Sequence, residues 1–305
     1  METVIITGGT GLIGTALTSL LTSKGYKVII LSRKQRQAKE NVSYAVWDLK
    51  KSFIDPEAVR QADHVIHLAG AGVADKRWTK KRKQEIRDSR VNSGKLIVRA
   101  LAEIENKVRT VVSASGMGWY GPDKKGKGPF IESDPHSEDF LGSTCKLWEE
   151  SIHPVAESGK RLVIFRTGIV FSNKGGAFKE FLKPLKAGVA TILGSGNQVV
   201  SWIHIDDICR LYLAAIEMQH LNGIYNATAP ETITNKQLML KIGKARRRPY
   251  IPLHVPEFAL KLALGEMSIE VLKSATLDDS KIRNAGFNFI YPTVDSAIND
   301  LVRTS

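Results

Sequence analysis

At 305 residues and 43% hydrophobic, the chain is too apolar for wholesale disorder and suits one large domain with a smaller appendage. No apolar run approaches the roughly 18 residues that cross a membrane; the sequence starts directly on a strand pattern without a signal peptide, and two cysteines make neither a disulfide framework nor a metal quartet, so a cytoplasmic protein without a metal site is expected. The net charge of +13 points to anionic ligands, and with no aromatics interleaved among the basic clusters, small acidic molecules are expected rather than nucleic acid.

Val4 to Thr7 reads as a short strand, Gly9, Gly11 and Gly14 form a G-x-G-x-x-G turn, and an amphipathic helix runs on to Lys24. Strand, glycine turn and helix in that order set a dinucleotide pyrophosphate on a helix N-terminus. In this reading Gly9 permits the tight turn, Gly11 lets the backbone approach the phosphates, and Gly14 lets helix and strand pack closely. The second strand, Lys27 to Leu31, ends in Ser32-Arg33-Lys34, where an Asp or Glu would bond the ribose 2′-hydroxyl of NAD. A guanidinium suits a 2′-phosphate instead, so NADP(H) is the expected cofactor.

A third strand reads at Val42 to Val46 and a fourth at His64 to Leu68, which runs into Ala69-Gly70-Ala71-Gly72. His64 and His67 are too sparse for a metal site. A long helix follows from Thr79 to about Ile104, then strands at Val108 to Ser113, Arg161 to Arg166 and Gly223 to Asn226. This alternation argues for an α/β protein built on a Rossmann-type doubly wound parallel sheet. The glycine-rich stretch 173–197 reads as a mobile insertion beside the cleft, and Asp206 as the N-cap of a helix from Asp207 to Met218. From about residue 229, Pro249, Pro252 and Pro256 punctuate short helical patterns. The expected division is therefore 1–228 for the cofactor domain and 229–305 for a small, mostly helical C-terminal substrate cap.

Thr7 to Gly14, His67 to Gly70, Arg166 to Val170 and Trp202 to Asp207 together resemble the extended short-chain dehydrogenase/reductase superfamily, the branch of sugar-nucleotide epimerases and dehydratases. Arg77-Trp78-Thr79, Arg87-Asp88-Ser89-Arg90, Trp148-Glu149 and the tail from Ser274 to Asp300 are similar to its atypical epimerase-like subgroup. The resemblance implies that Thr7, Gly8, Gly9, Thr10, Gly11, Leu12, Ile13 and Gly14 hold the pyrophosphate, with Ser32 and Arg33 at the 2′-phosphate. It implies Asp48 near the adenine, and Leu68, Ala69, Gly70 and Arg166 among the cofactor-binding residues. For the chemistry, the superfamily uses a Ser or Thr with Tyr-x-x-x-Lys, a proton carrier and a cation that lowers its pKa. Ser115 fits the serine, and Lys146 fits the lysine that also holds the nicotinamide ribose. Four residues before Lys146 stands Gly142, so the catalytic tyrosine is replaced and Tyr120 is the nearest substitute. Gly72, Arg77 and Trp78 are expected to face the substrate.

The implied function is an NADP(H)-dependent epimerase/dehydratase-like oxidoreductase acting on an anionic, nucleotide-linked small molecule. Gly142 leaves an alternative, a non-catalytic NADP(H)-binding sensor or scaffold that engages a protein partner. Relatives often form homodimers through two long helices.

Overall fold

The computed structural model describes residues 1–303. Its first half runs β1 (Thr3–Thr7), α1 (Leu12–Ser23), β2 (Lys27–Ser32), β3 (Val42–Asp48), β4 (Phe53–Ile54), α2 (Pro56–Gln61), β5 (His64–His67) and α3 (Lys80–Glu103). Then come β6 (Thr110–Gly116), α4 (Phe140–Ile152) and β7 (Arg161–Thr167). With the later strand Gly223–Ala227 these strands form one eight-stranded sheet, in the order Gly223–Ala227, β7, β6, β5, β1, β2, β3, β4. Every pairing is parallel except that of β3 with the short β4.

Both faces of the sheet are covered, which is why its strands read as continuous apolar runs rather than alternating ones. On β1, Val4 and Ile6 pack toward α1 and the helix Ile205–Glu217, whereas Ile5 packs toward α2 and α3. The strand order reverses between β1 and β5, so the crevice for a ligand opens where Thr7 and His67 end their strands.

A second core joins Phe171, Phe178, Leu182, Trp202, Leu238, Met239, Ile298 and Leu301. It draws on residues before the last sheet strand as well as after it. Residues 173–197, expected as a mobile insertion, are instead folded into this core as a helix (Gly176–Lys186) and a strand (Val189–Leu193). Phe178, Leu182 and Leu185 stand at helical spacing and are buried, and Val189–Leu193 pairs in parallel with Ile251–Val255. The C-terminal part adds the helices Asn235–Ala245, Glu257–Leu264 and Val294–Arg303.

The helix after Trp202-Ile203 starts at Ile205, and His204 rather than Asp206 is its cap: its Nδ1 accepts from the Asp206 N–H at 3.1 Å. Buried Asp207 accepts from the backbone N–H groups of Ile290 and Tyr291 and from Arg210, tying the last segment to the helix Ile205–Glu217. Among the described residues no helix is long and apolar enough to cross a membrane.

Candidate functional site

The glycine turn is built by backbone geometry that side chains would obstruct. Gly8 takes φ +71°, and a Cβ there would stand 2.9 Å from the Leu68 carbonyl carbon. The tight turn thus belongs to Gly8 rather than Gly9, whose missing Cβ instead makes room for Ile30 at 2.8 Å. At Gly14 a Cβ would meet the Gly8 oxygen at 2.4 Å, so α1 can start against the turn only through glycine. No side chain caps α1 and no acid stands in its first turn. Its leading N–H groups, beside exposed Thr10 and half-buried Leu12 and Ile13, face the crevice with a positive helix end.

Thr7 locks this turn to β5. Its hydroxyl accepts from the Leu68 and Ala69 N–H groups, each at 3.1 Å, and is hydrogen-bonded to His67 Nδ1 at 2.8 Å. Burial and the nearby Arg90 charge push the His67 pKa down to about 3, so the ring is neutral. Leu68 and Ala69 are half-buried and Gly70 exposed, along the crevice wall.

At the end of β2, Arg33 is exposed and makes no hydrogen bond or ion pair among the described residues, and half-buried Ser32 accepts from the Lys34 N–H. Asp48 ends β3 on the same side of the sheet and accepts from the N–H groups of Lys50 and Lys51, so its carboxylate shapes the turn into β4.

Ser115, Tyr120 and Arg166 come together, but in a closed network rather than an open cleft. Arg166 is 1% exposed and donates from Nε and Nη2 to the two carboxylate oxygens of Glu149, both at 2.9 Å. Its Nη1 donates to the Tyr120 hydroxyl at 3.0 Å and to the Glu132 carbonyl at 2.9 Å. The Tyr120 hydroxyl passes its proton to Asn226 Oδ1 at 2.8 Å, and Ser115 donates to Glu149 Oε1 at 2.6 Å. Tyr120 is fully buried, stacked on Phe130, and burial pushes its pKa up to about 12. Each of these hydroxyl protons, on Ser115 and Tyr120, is held by an internal acceptor. Arg166, expected at the cofactor, has its charge neutralised inside the same network.

Helix α4 turns Leu141 and Cys145 toward the segment that follows β6. A Cβ on Gly118 would touch Leu141 at 2.9 Å, and one on Gly116 would touch Cys145 Sγ at 3.9 Å. A Cβ at Gly142 would stand 2.1 Å from the Ser137 oxygen, so that position has no room for a tyrosine. Burial pushes the Cys145 thiol up to about 11, and it stays protonated. Lys146 is half-buried and lines a groove with Glu150, His153 and Ile224, between α4 and the edge strand Gly223–Ala227.

The substrate candidates occupy the loop between β5 and α3. Trp78 is buried, with its ring edge against Phe140 at 4.8 Å and its indole N–H donating to the Val73 carbonyl at 2.9 Å. It holds the loop rather than facing a ligand. The Gly72 carbonyl accepts from Arg82, and a side chain there would collide with Asp75. Arg77 is exposed and lies 2.7 Å from where a Cβ on Gly265 would stand, while Lys83 pairs with Glu266 at 2.8 Å. Loop and C-terminal segment thus meet beside the crevice. The sequence reading passed over one residue of this region, Arg90, whose guanidinium lies against Gly70. Away from the crevice, His204, Asp206 and Asp300 bring ligand atoms within 4.8 Å of one another. The His204 ring lies on Tyr291, at 3.8 Å between centroids, and 3.3 Å from Asp300, which makes it a fastening between helices.

Comparison with known proteins agrees with this geometry. The model of the NAD dependent epimerase/dehydratase family matches residues 4–228, and that of a domain of unknown function (DUF1731) matches residues 255–301. The epimerase family protein YfhF of Bacillus subtilis is 35% identical over 300 residues, covering 98% of this chain and 97% of that protein. The crystal structure of human epimerase family protein SDR39U1 (isoform 2) with NADPH superposes with a TM-score of 0.89 at 27% identity over 100% of both chains. A nucleoside-diphosphate sugar epimerase from Corynebacterium glutamicum gives a TM-score of 0.78 at 32% identity, covering 99% of this chain and 58% of that one. With the strand–glycine–helix crevice in place and the family match spanning most of its length, the chain belongs to the NAD-dependent epimerase/dehydratase family of extended short-chain dehydrogenase/reductases.

Proposed function

We propose that the protein binds NADP(H) and uses it for epimerase- or dehydratase-like redox chemistry on an anionic, nucleotide-linked small molecule. The observation that carries the cofactor choice is Arg33, a free guanidinium at the end of β2 where an NAD enzyme places a carboxylate. The NADPH in the human relative supports it. The Corynebacterium relative supports the substrate class, as do the basic residues Arg77 and Lys76 on the loop beside the crevice. When bound, the cofactor supplies hydride exchange at a carbinol carbon. The chain's part is to seat the pyrophosphate on α1, grip the 2′-phosphate through Arg33 and hold the anionic substrate near Arg77. The substrate proton then exchanges with solvent.

The Arg33 assignment predicts that Arg33→Asp weakens NADPH binding at least about tenfold and gains NADH binding, because two charge-assisted hydrogen bonds are replaced by repulsion. Fluorescence titration with both nucleotides checks this, and equal affinities of the unaltered protein for NADH and NADPH would sink the NADP(H) reading. A second reading, an NADP(H)-binding sensor engaging a protein partner, is favoured by the held protons of Ser115 and Tyr120. Following NADPH absorbance against nucleotide-linked sugars and a cell extract separates the two: turnover supports the enzyme, and retention of unchanged NADPH supports the sensor.

A further inference from the structure

We propose that Arg90 is a cofactor-binding residue, with its guanidinium taking the hydroxyls of the nicotinamide ribose. The inference rests on the NADP(H) reading above and concerns the half of the dinucleotide that lies beyond the glycine turn.

Arg90 leaves α3 and folds back to the end of β5. One terminal nitrogen, Nη1, donates to the carbonyls of Ala71 and Ile86, each at 2.9 Å. The guanidinium lies over the Trp148 ring, 4.9 Å from its centroid. From the other side Gly70 closes on it so tightly that a Cβ there would stand 2.9 Å from Cζ. Three neighbours thus fix its plane, while Nε and Nη2 donate to nothing among the described residues. No carboxylate pairs with it either, and burial lowers its pKa. A half-buried cation without a counter-charge is costly, and this one is held in place all the same.

The position shows what would compensate it. The Arg90 charge is felt by His67, which ends β5, and by Cys145, which abuts the end of β6. It therefore lies on the β5–β6 side of the crevice, away from the Arg33 end and past the α1 N-terminus that takes the pyrophosphate. The other cations nearby are committed elsewhere. Arg166 is neutralised by Glu149, Arg82 is taken up by Gly72, Asp75 and Glu85, and Lys146 faces the groove on the sheet flank. With Cys145 rather than a lysine facing the end of β6, the two unused edges of Arg90 are the donors left to hold a pair of vicinal hydroxyls.

The test is a fluorescence titration of NADPH beside competition by 2′,5′-ADP, which keeps the 2′-phosphate but lacks the nicotinamide ribose. Arg90→Gln is expected to weaken NADPH about tenfold while leaving 2′,5′-ADP within about twofold of the unaltered protein. Because Arg90 also holds two carbonyls, Gly70→Ala provides a second route: the new methyl pushes the guanidinium from the crevice side and leaves the Arg90 side chain in place, and the same selective loss is expected. Unchanged NADPH affinity in both variants, or equal weakening of both ligands, overturns the assignment. Unaltered protein that binds neither nucleotide overturns the NADP(H) reading itself, and this inference with it.

Discussion

Glu149→Ala is expected to cost about 3–5 kcal/mol of folding stability, because it leaves the Arg166 guanidinium buried without its counter-charge. The pair is bidentate and both partners are buried, so solvent cannot replace the lost carboxylate. The burial that would lower the Arg166 pKa is outweighed by Glu149 and Tyr120, and its pKa is raised. Ser115 would lose its acceptor in the same step. Glu149→Gln, which keeps a hydrogen-bonding oxygen but no charge, should fall between. The double variant Glu149→Ala with Arg166→Met should recover much of the loss, since it removes the stranded charge. Urea denaturation of the four proteins checks this. A cost below about 1 kcal/mol for Glu149→Ala would mean that water or a rearranged partner reaches Arg166, and that the network is open after all.

That network shows which parts of the site a sequence can disclose. The glycine turn was legible because its constraints are local: strand, turn and helix are contiguous, and the glycines are forced by contacts within the same few residues and with β5. The doubly wound sheet was legible for the same reason, each apolar run alternating with a helical one. The pairing of Glu149 with Arg166, and of Tyr120 with Asn226, joins residues far apart in the chain, and nothing near them announces a partner. On α4, Glu149 and Glu150 are adjacent, and only the first is buried. The expected site falls on Lys146 as the lysine of that helix, and nothing in the sequence marks Leu141 and Cys145 as the pair that packs against Gly118 and Gly116. In residues 173–197 five glycines masked Phe178, Leu182 and Leu185, whose helical spacing is the stronger signal. Arg90 was quoted only as part of a resemblance, because an arginine on a polar helix has no mark of burial until Gly70 and Trp148 are seen to enclose it.

His67 supplies the second large effect, and its sign follows from which state takes up the proton. In the folded protein the ring is neutral down to about pH 3, held by burial and by the Arg90 charge. In the unfolded chain it titrates near its ordinary value of about 6.5. Below that pH the unfolded state binds one proton that the folded state refuses, so folding stability falls as the solution is acidified and rises with pH. Between pH 7 and pH 5 this one residue should remove about 2 kcal/mol, at up to about 1.4 kcal/mol per pH unit. His64 and His204 are also held below their ordinary values, chiefly by burial, and add to the slope in the same direction. Urea denaturation of His67→Gln at pH 7, 6 and 5 isolates the His67 share: the variant should lose less stability on acidification than the unaltered protein, by that 2 kcal/mol. Parallel curves for the two would show that His67 is protonated in the folded state. A charged ring would then stand between Thr7 and Arg90, and Nε2 would no longer accept from the Trp148 indole N–H.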